Sequence, residues 1–176
     1  PDTLVFRPAD MKETSACYLA ALESENPSVM ALSRQNLPQF AETSIEAKKG
    51  GYVLRDCEGT PDVILMGSGS EVKLVMSAAA ELEKAGKKVR VVSMPCTELF
   101  DQQSAEYRES VLPKHVRARV AVEAASTHSW YKYVGMDGKV IGIDHFGASA
   151  PANILFKKFG FTVENVVSAA LELINK

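Results

Sequence analysis

Cysteine, histidine and tryptophan are scarce, at three, three and one in 176 residues. Cys17, Cys57 and Cys96 are odd in number and far apart, with no C-x-x-C. That excludes a disulfide framework and predicts free thiols in a reducing cytoplasm. His115, His128 and His145 form no H-E-x-x-H and no close ligand spacing, so no zinc site is expected. Charge of one sign is missing too. A formal net charge of −2 gives no basic field for nucleic acid, and no lysine-arginine block marks a membrane-binding face. No apolar run approaches the ~20 residues that span a bilayer. Residues 1–9 hold Asp2 and Arg7 but no apolar core, so no signal peptide is expected. G-x-S-x-G elbows and P-loops are absent. The start at Pro1 in place of methionine leads us to expect a piece of a longer protein.

What is present is organised around residues 62–95. Val63–Met66 is an unbroken apolar run bounded by turn residues, the pattern of a strand covered on both faces. Gly67-Ser68-Gly69 permits a sharp turn, and Ser68 with Glu71 has capping-box spacing for a new helix. Val72, Val75, Met76, Ala79 and Leu82 form one apolar stripe. Gly86 stops the helix near Lys84, Lys87 and Lys88, and Val89, Val91 and Val92 resume a strand. This β-loop-α-β unit implies a parallel sheet. It is not a dinucleotide fingerprint, because Val72 occupies the third glycine position and no acid ends the second strand. The Gly67–Gly69 turn is read as structural, with an anion at the helix N-terminus as its alternative.

The opening segment reads as another β-α-β unit. Thr3–Phe6 is its first strand, and Asp10 with Glu13 caps a helix from Met11 to about Ser24. The helix carries an expected buried stripe of Met11, Ser15, Tyr18, Leu19 and Leu22. Val29–Leu32 is the second strand. With too little around it to bury both sheet faces, this unit reads as the tail of a larger α/β domain. Residues 37–51 are polar and aperiodic, an interdomain linker with a helical turn near Ser44–Lys48. Beyond it come strands at Tyr52–Leu54, Ala118–Val122 and Lys139–Ile143. Short helical pieces lie at 97–100, 104–113 and 130–135, with further helices at 151–159 and from Thr162 to Ile174. The predicted fold class is α/β, a mostly parallel-sheet C-terminal domain preceded by a β-α-β fragment of a second α/β domain.

Arg34 is the leading candidate for binding. It lies past the carboxyl end of a strand, where open parallel sheets collect ligands, and a guanidinium can grip a phosphate by two parallel hydrogen bonds. Pairing with an acid, or facing water, is its alternative. Glu123, at another strand end, is read as a cap for the following loop, with a catalytic role as its alternative. Trp130, Tyr131 and Tyr133 are read as core or interface, since no basic patch interleaves them.

Several blocks, in order along nearly the whole chain, resemble the late portion of transketolases of the bacterial type. They are Leu32–Pro38 (L-S-R-Q-N-L-P), Lys49–Leu54, Gly67–Val72, Arg90–Pro95, Tyr107–Pro113 (Y-R-E-S-V-L-P), Phe146–Pro151 and Phe159–Thr162. The resemblance implies that residues 1 to about 45 end a pyrimidine-binding domain and begin a linker. Residues 46–176 are then the Rossmann-like C-terminal domain. It also implies a homodimeric enzyme of the pentose phosphate pathway that transfers a two-carbon ketol unit between sugar phosphates. Thiamine diphosphate, with magnesium or calcium, would act there as electron sink. By the same resemblance Arg34 binds the sugar phosphate. No catalytic, cofactor-binding or metal-binding residue is expected in this chain, so alone it should be inactive. The alternatives are a non-catalytic docking or regulatory module built on the same domain, or a related thiamine enzyme such as dihydroxyacetone synthase.

Overall fold

The computed structural model describes residues 2–175. Its main body is a five-stranded sheet of order β3-β5-β4-β6-β7, built from Tyr52–Arg55 (β3), Val63–Gly67 (β4), Val89–Ser93 (β5), Arg119–Val122 (β6) and Lys139–Ile141 (β7). All its neighbours pair in parallel except β3, which joins β5 antiparallel. The central strand β4 is buried along its whole length. Because successive side chains alternate faces, Val63 and Leu65 pack with Val72–Lys84 (α2) and Val163–Ile174 (α7) on one side. Ile64 and Met66 pack on the other side with Phe100, Val111, Trp130 and Tyr133. Those come from Thr97–Asp101 (α3), Ala105–Val111 (α4) and the turn at Thr127–Trp130 that leads into Tyr131–Val134 (α5). The α/β expectation therefore holds.

Helix α2 ends as its glycine implies. Gly86 adopts φ +76, and the amide of Lys87 reaches back to the Leu82 carbonyl at 3.0 Å. The helix start departs from expectation. Ser68 makes no capping hydrogen bond to the Gly69–Glu71 turn, because its hydroxyl and the Glu71 carboxylate are drawn away to partners across the strand ends.

Before this body lies a two-stranded parallel sheet, Leu4–Phe6 (β1) with Ser28–Met30 (β2), joined by Met11–Glu23 (α1). Asp10 caps α1 as expected, accepting from the Glu13 amide at 3.0 Å. Glu13 returns its carboxylate to the Ala9 amide at 2.7 Å. The stripe expected on α1 is reversed. Met11 and Leu22 are 70% and 82% exposed, and Tyr18 and Leu19 also face outward. Glu13, Ala16, Cys17 and Ala20 are buried instead. Small residues let the helix approach the body closely, while its larger apolar side chains are left outside. Cys17 and Ala20 share a cluster with Leu4, Phe6 and Cys96, so the two sheets share one interior seam. The three cysteines are free, and burial pushes the Cys96 thiol up to about 12.

The linker is not loose. Asp10 accepts from the Phe40 amide at 3.1 Å and the Thr43 hydroxyl at 2.7 Å, and the helical turn forms at Ile45–Lys49 under a Ser44 cap. Ala152–Lys158 (α6) completes the chain between β7 and α7.

The reversed stripe sets opposite expectations for two substitutions. Leu22→Lys should stay within about 0.5 kcal/mol of the parent in urea unfolding, as exposed positions do. Ala16→Leu should cost about 1–3 kcal/mol by overpacking the seam. The reverse ranking would restore the outward residues to the core.

Candidate functional site: the closed carboxyl edge

Open parallel sheets bind ligands outside the carboxyl ends of their strands. Here those ends are Gly67 of β4, Ser93 of β5 and Val122 of β6, followed by Glu123. The opening segment lies across them. The Gly69 amide donates to the Arg7 carbonyl at 2.8 Å, and the Arg7 amide donates to the Pro95 carbonyl at 2.7 Å. Gly69 has φ +52, and a Cβ there would point at the Arg7 side chain, 3.5 Å from a terminal guanidinium nitrogen. That is ordinary contact distance, so the positive φ, not space for Arg7, is what calls for glycine here.

The Arg7 guanidinium bonds Glu71 Oε2 at 3.0 Å and also contacts Glu123. Both carboxylates are buried. Glu123 accepts from the Ser68 hydroxyl at 2.6 Å, and Glu71 accepts from the Ala124 amide at 3.2 Å. The loop after β6 is therefore held by Glu71, whereas Glu123, expected to cap that loop, is turned toward Ser68 and Arg7. The anion alternative for the Gly67–Gly69 turn fails for the same reason, because two carboxylates already face it.

A second plug sits beside the first. Glu13, fully buried, accepts from the Ala9 amide, the Tyr52 hydroxyl at 2.8 Å and the Ser93 hydroxyl at 2.6 Å. Burial raises its pKa, the hydrogen bonds from Ser93, Ala9 and Tyr52 oppose that, and nearby Asp10 reinforces it. One carboxylate thus ties α1 to the strands β3 and β5.

The sequence places Arg7 just past the first predicted strand and Glu13 in a cap, and does not reveal that both meet the sheet edge. The available signal was charge at the carboxyl ends of apolar strands: Arg7 after β1, Glu71 after β4 and Glu123 after β6.

Arg34 lies elsewhere. It is exposed, four residues past β2, and no carboxylate among the described residues pairs with it. Its neighbours Gln35, Asn36 and Leu37 line a cleft of about 260 Å³ with Lys73 of α2 and Asn153 of α6. The histidines are all exposed and separate. His128 Nδ1 meets the Ser126 hydroxyl at 2.8 Å, and Asp144 bonds Ser126 and Thr127. The hydroxyl lies between ring and carboxylate, the wrong order for a base-activated serine, in which the imidazole stands in the middle. Among the described residues no group of three or more His, Cys, Asp or Glu is placed to hold a metal ion. No helix of the described residues is long and apolar enough to cross a membrane.

In class this is a mostly parallel α/β domain whose carboxyl edge is closed by the preceding segment of its own chain. The model of the transketolase-like TK C-terminal domain matches residues 50–162, and the chain belongs to that family. A chloroplastic transketolase of Solanum tuberosum is 58% identical over 98% of this chain and 24% of its own length. Transketolase 1 of Vibrio vulnificus is 52% identical over 99% of this chain and 27% of its own. The crystal structure of a Pichia stipitis transketolase in complex with sedoheptulose-7-phosphate superposes with a TM-score of 0.92 at 45% identity, covering 99% of this chain and 25% of that one. The chain spans about a quarter of the length of the curated relatives it matches.

The Glu13 plug predicts a pH dependence. A carboxyl whose folded pKa lies above its ordinary value of 4.5 stabilises fully below that value. Its contribution is lost as pH rises through the folded pKa. Urea unfolding from pH 4.5 upward should therefore show the stability difference between the parent and Glu13→Gln shrinking as pH rises. A difference that grows with pH would mean that the three donors hold Glu13 ionised.

Proposed function

We propose that this chain is the C-terminal part of a transketolase, an enzyme that as a whole protein moves a two-carbon ketol unit between sugar phosphates in the pentose phosphate pathway. Residues 1 to about 45 end its pyrimidine-binding domain and begin the linker, and residues 46–176 form its C-terminal domain. Thiamine diphosphate and magnesium or calcium belong, in this reading, to residues upstream of this chain. The residues present do not fit the cofactor: the Gly69 amide is already taken by the Arg7 carbonyl, and Arg7 set between Glu71 and Glu123 leaves that edge a net negative charge that opposes a diphosphate. The whole protein is read as a cytoplasmic homodimer, the compartment resting on three unpaired cysteines.

The division near residue 45 is supported by two separate sheets. The outward apolar face of α1 and β2, with Leu22 at 82% and Val29 at 50% exposure, is what further strands and helices of a larger domain would cover. The observation that carries the substrate is Arg34. It is an exposed guanidinium without a carboxylate partner, beyond a strand's carboxyl end, on a segment fixed at both sides. The Ala31 amide donates to the Phe6 carbonyl at 2.8 Å before it, and Asp10 holds Phe40 after it. A free guanidinium so placed suits the phosphate of a sugar phosphate, the ligand class named for the Pichia stipitis structure.

Incubated with thiamine diphosphate, magnesium, a ketose phosphate and an aldose phosphate, the purified chain should give no ketol transfer. Turnover would refute the assignment of the chemistry to upstream residues. In the full-length protein, Arg34→Ala should raise KM for sugar phosphates about 10- to 100-fold, the scale of one or two charge-assisted hydrogen bonds. A fall in kcat at constant KM would remove Arg34 from the phosphate role.

A further inference from the structure

On the side of the sheet away from α2 and α7, a cleft of about 610 Å³ opens between α3, α4 and α5. The Y-R-E-S-V-L-P block forms one wall, and the Arg34 reading makes no use of it. Most polar groups of that block are engaged internally. The Tyr107 hydroxyl donates to the Gly51 carbonyl at 3.0 Å, and Ser110 donates to the Tyr107 carbonyl at 2.7 Å. Glu109 accepts from the Lys114 amide at 2.8 Å. Arg108 differs. Its guanidinium makes one recorded bond, to the Asp101 carbonyl at 2.6 Å, which leaves most of its five donors uncommitted.

Arg119 lines the same cleft. It donates only to backbone carbonyls, those of Val116, Tyr133, Leu112 and Pro113, at 2.7–3.1 Å. Arg7, Arg55, Arg90 and Arg117 pair with carboxylates. Among the described residues Arg34, Arg108 and Arg119 do not, and two of those three meet in this one cleft, both partly buried. Burial lowers the Arg119 pKa, and the neighbouring Glu109 carboxylate opposes that shift. Lys132 and Lys114 stand at the mouth. Three acids share it: Asp101 is taken by Lys132 and Tyr133, Glu109 faces Lys114, and Glu106 is exposed. Phe100, Leu112 and Tyr133 supply an apolar wall.

We propose that this cleft binds a small organic phosphate, with its anionic group on Arg108 and its carbon body against Phe100, Leu112 and Tyr133. A planar guanidinium with free parallel donors takes a tetrahedral oxyanion by two bonds. The volume is that of a small-molecule site, well beyond a lone inorganic ion. The site is independent of the sugar-phosphate reading of Arg34 and lies on a different face of the domain from the closed carboxyl edge.

The test is calorimetric titration of phenyl phosphate into the full-length protein carrying Arg34→Ala, which removes that competing phosphate residue. Saturable binding is expected, weakened about tenfold or more by adding Arg108→Gln, on the scale of one lost charge-assisted bond. Arg108→Lys, which keeps the charge and can keep the Asp101 contact, should bind at an intermediate strength. This variant decides the matter if the glutamine form does not fold. Glu106→Gln should tighten binding by roughly twofold, as removal of a rim charge does. Phenol, uncharged and of the same body, should bind far more weakly. Absence of saturable binding, affinity equal in the Arg108 variants and their parent, or phenol binding as well as its phosphate would each overturn the proposal.

Discussion

The arrangement depends on one guanidinium set between two buried carboxylates. Arg7 leaves a strand too short to stand alone, crosses the carboxyl edge of a larger sheet and meets Glu71 and Glu123 there. A two-stranded sheet is marginal in water, so its attachment must come from outside itself. Buried ion pairs resist dissection: removing one partner leaves an uncompensated charge that costs about 3–5 kcal/mol. Each carboxylate is further fixed by a neutral donor, the Ser68 hydroxyl for Glu123 and the Ala124 amide for Glu71. Glu13 adds a second anchor with three donors of its own. Together they make the opening segment part of the body although it belongs to a separate sheet.

That closure explains why the larger sheet offers no open crevice where its topology would put one. The turn after β4 has the glycines and the helix start that an anion site uses, yet the Gly69 amide is taken by the Arg7 carbonyl and the Arg7 side chain stands against it. An edge occupied by a fixed internal cation and two acids is built for adhesion between segments.

The fold was readable wherever burial alone decides it. Val63–Met66, the stripe of α2 and the stop at Gly86 all follow from side-chain period and backbone freedom, and they stand where the sequence puts them. What misled was any residue whose partner lies far along the chain. Met11, Tyr18, Leu19 and Leu22 have a proper helical period, but period identifies a face without saying what it meets. Ala16 and Cys17 won the inner face because close approach there needs small side chains. Ser68 and Glu71 have capping-box spacing, yet Arg7, 64 residues away from Glu71, and Glu123 compete for them more strongly than a helix amide does. Ion pairs at long separation leave no periodic trace, so the closed edge was invisible while its strands were plain. Arg34 was placed beyond a strand end by the sequence, and it stands exposed there, four residues past β2.

The same network bears on how Arg34 is held. An exposed arginine on a free tail would lose much of any phosphate contact to the entropy of ordering its segment. Here residues 31–40 are tied to Phe6 at one end and to Asp10 at the other. Asp10 is itself fixed by capping α1 and by Thr43, and α1 is fixed to the main sheet through Glu13. A chain of short polar contacts therefore runs from the buried edge of the large sheet to the segment that bears the free guanidinium. If that guanidinium meets a sugar's phosphate, the main sheet contributes to the grip only indirectly, through Glu13, α1 and the Asp10 cap.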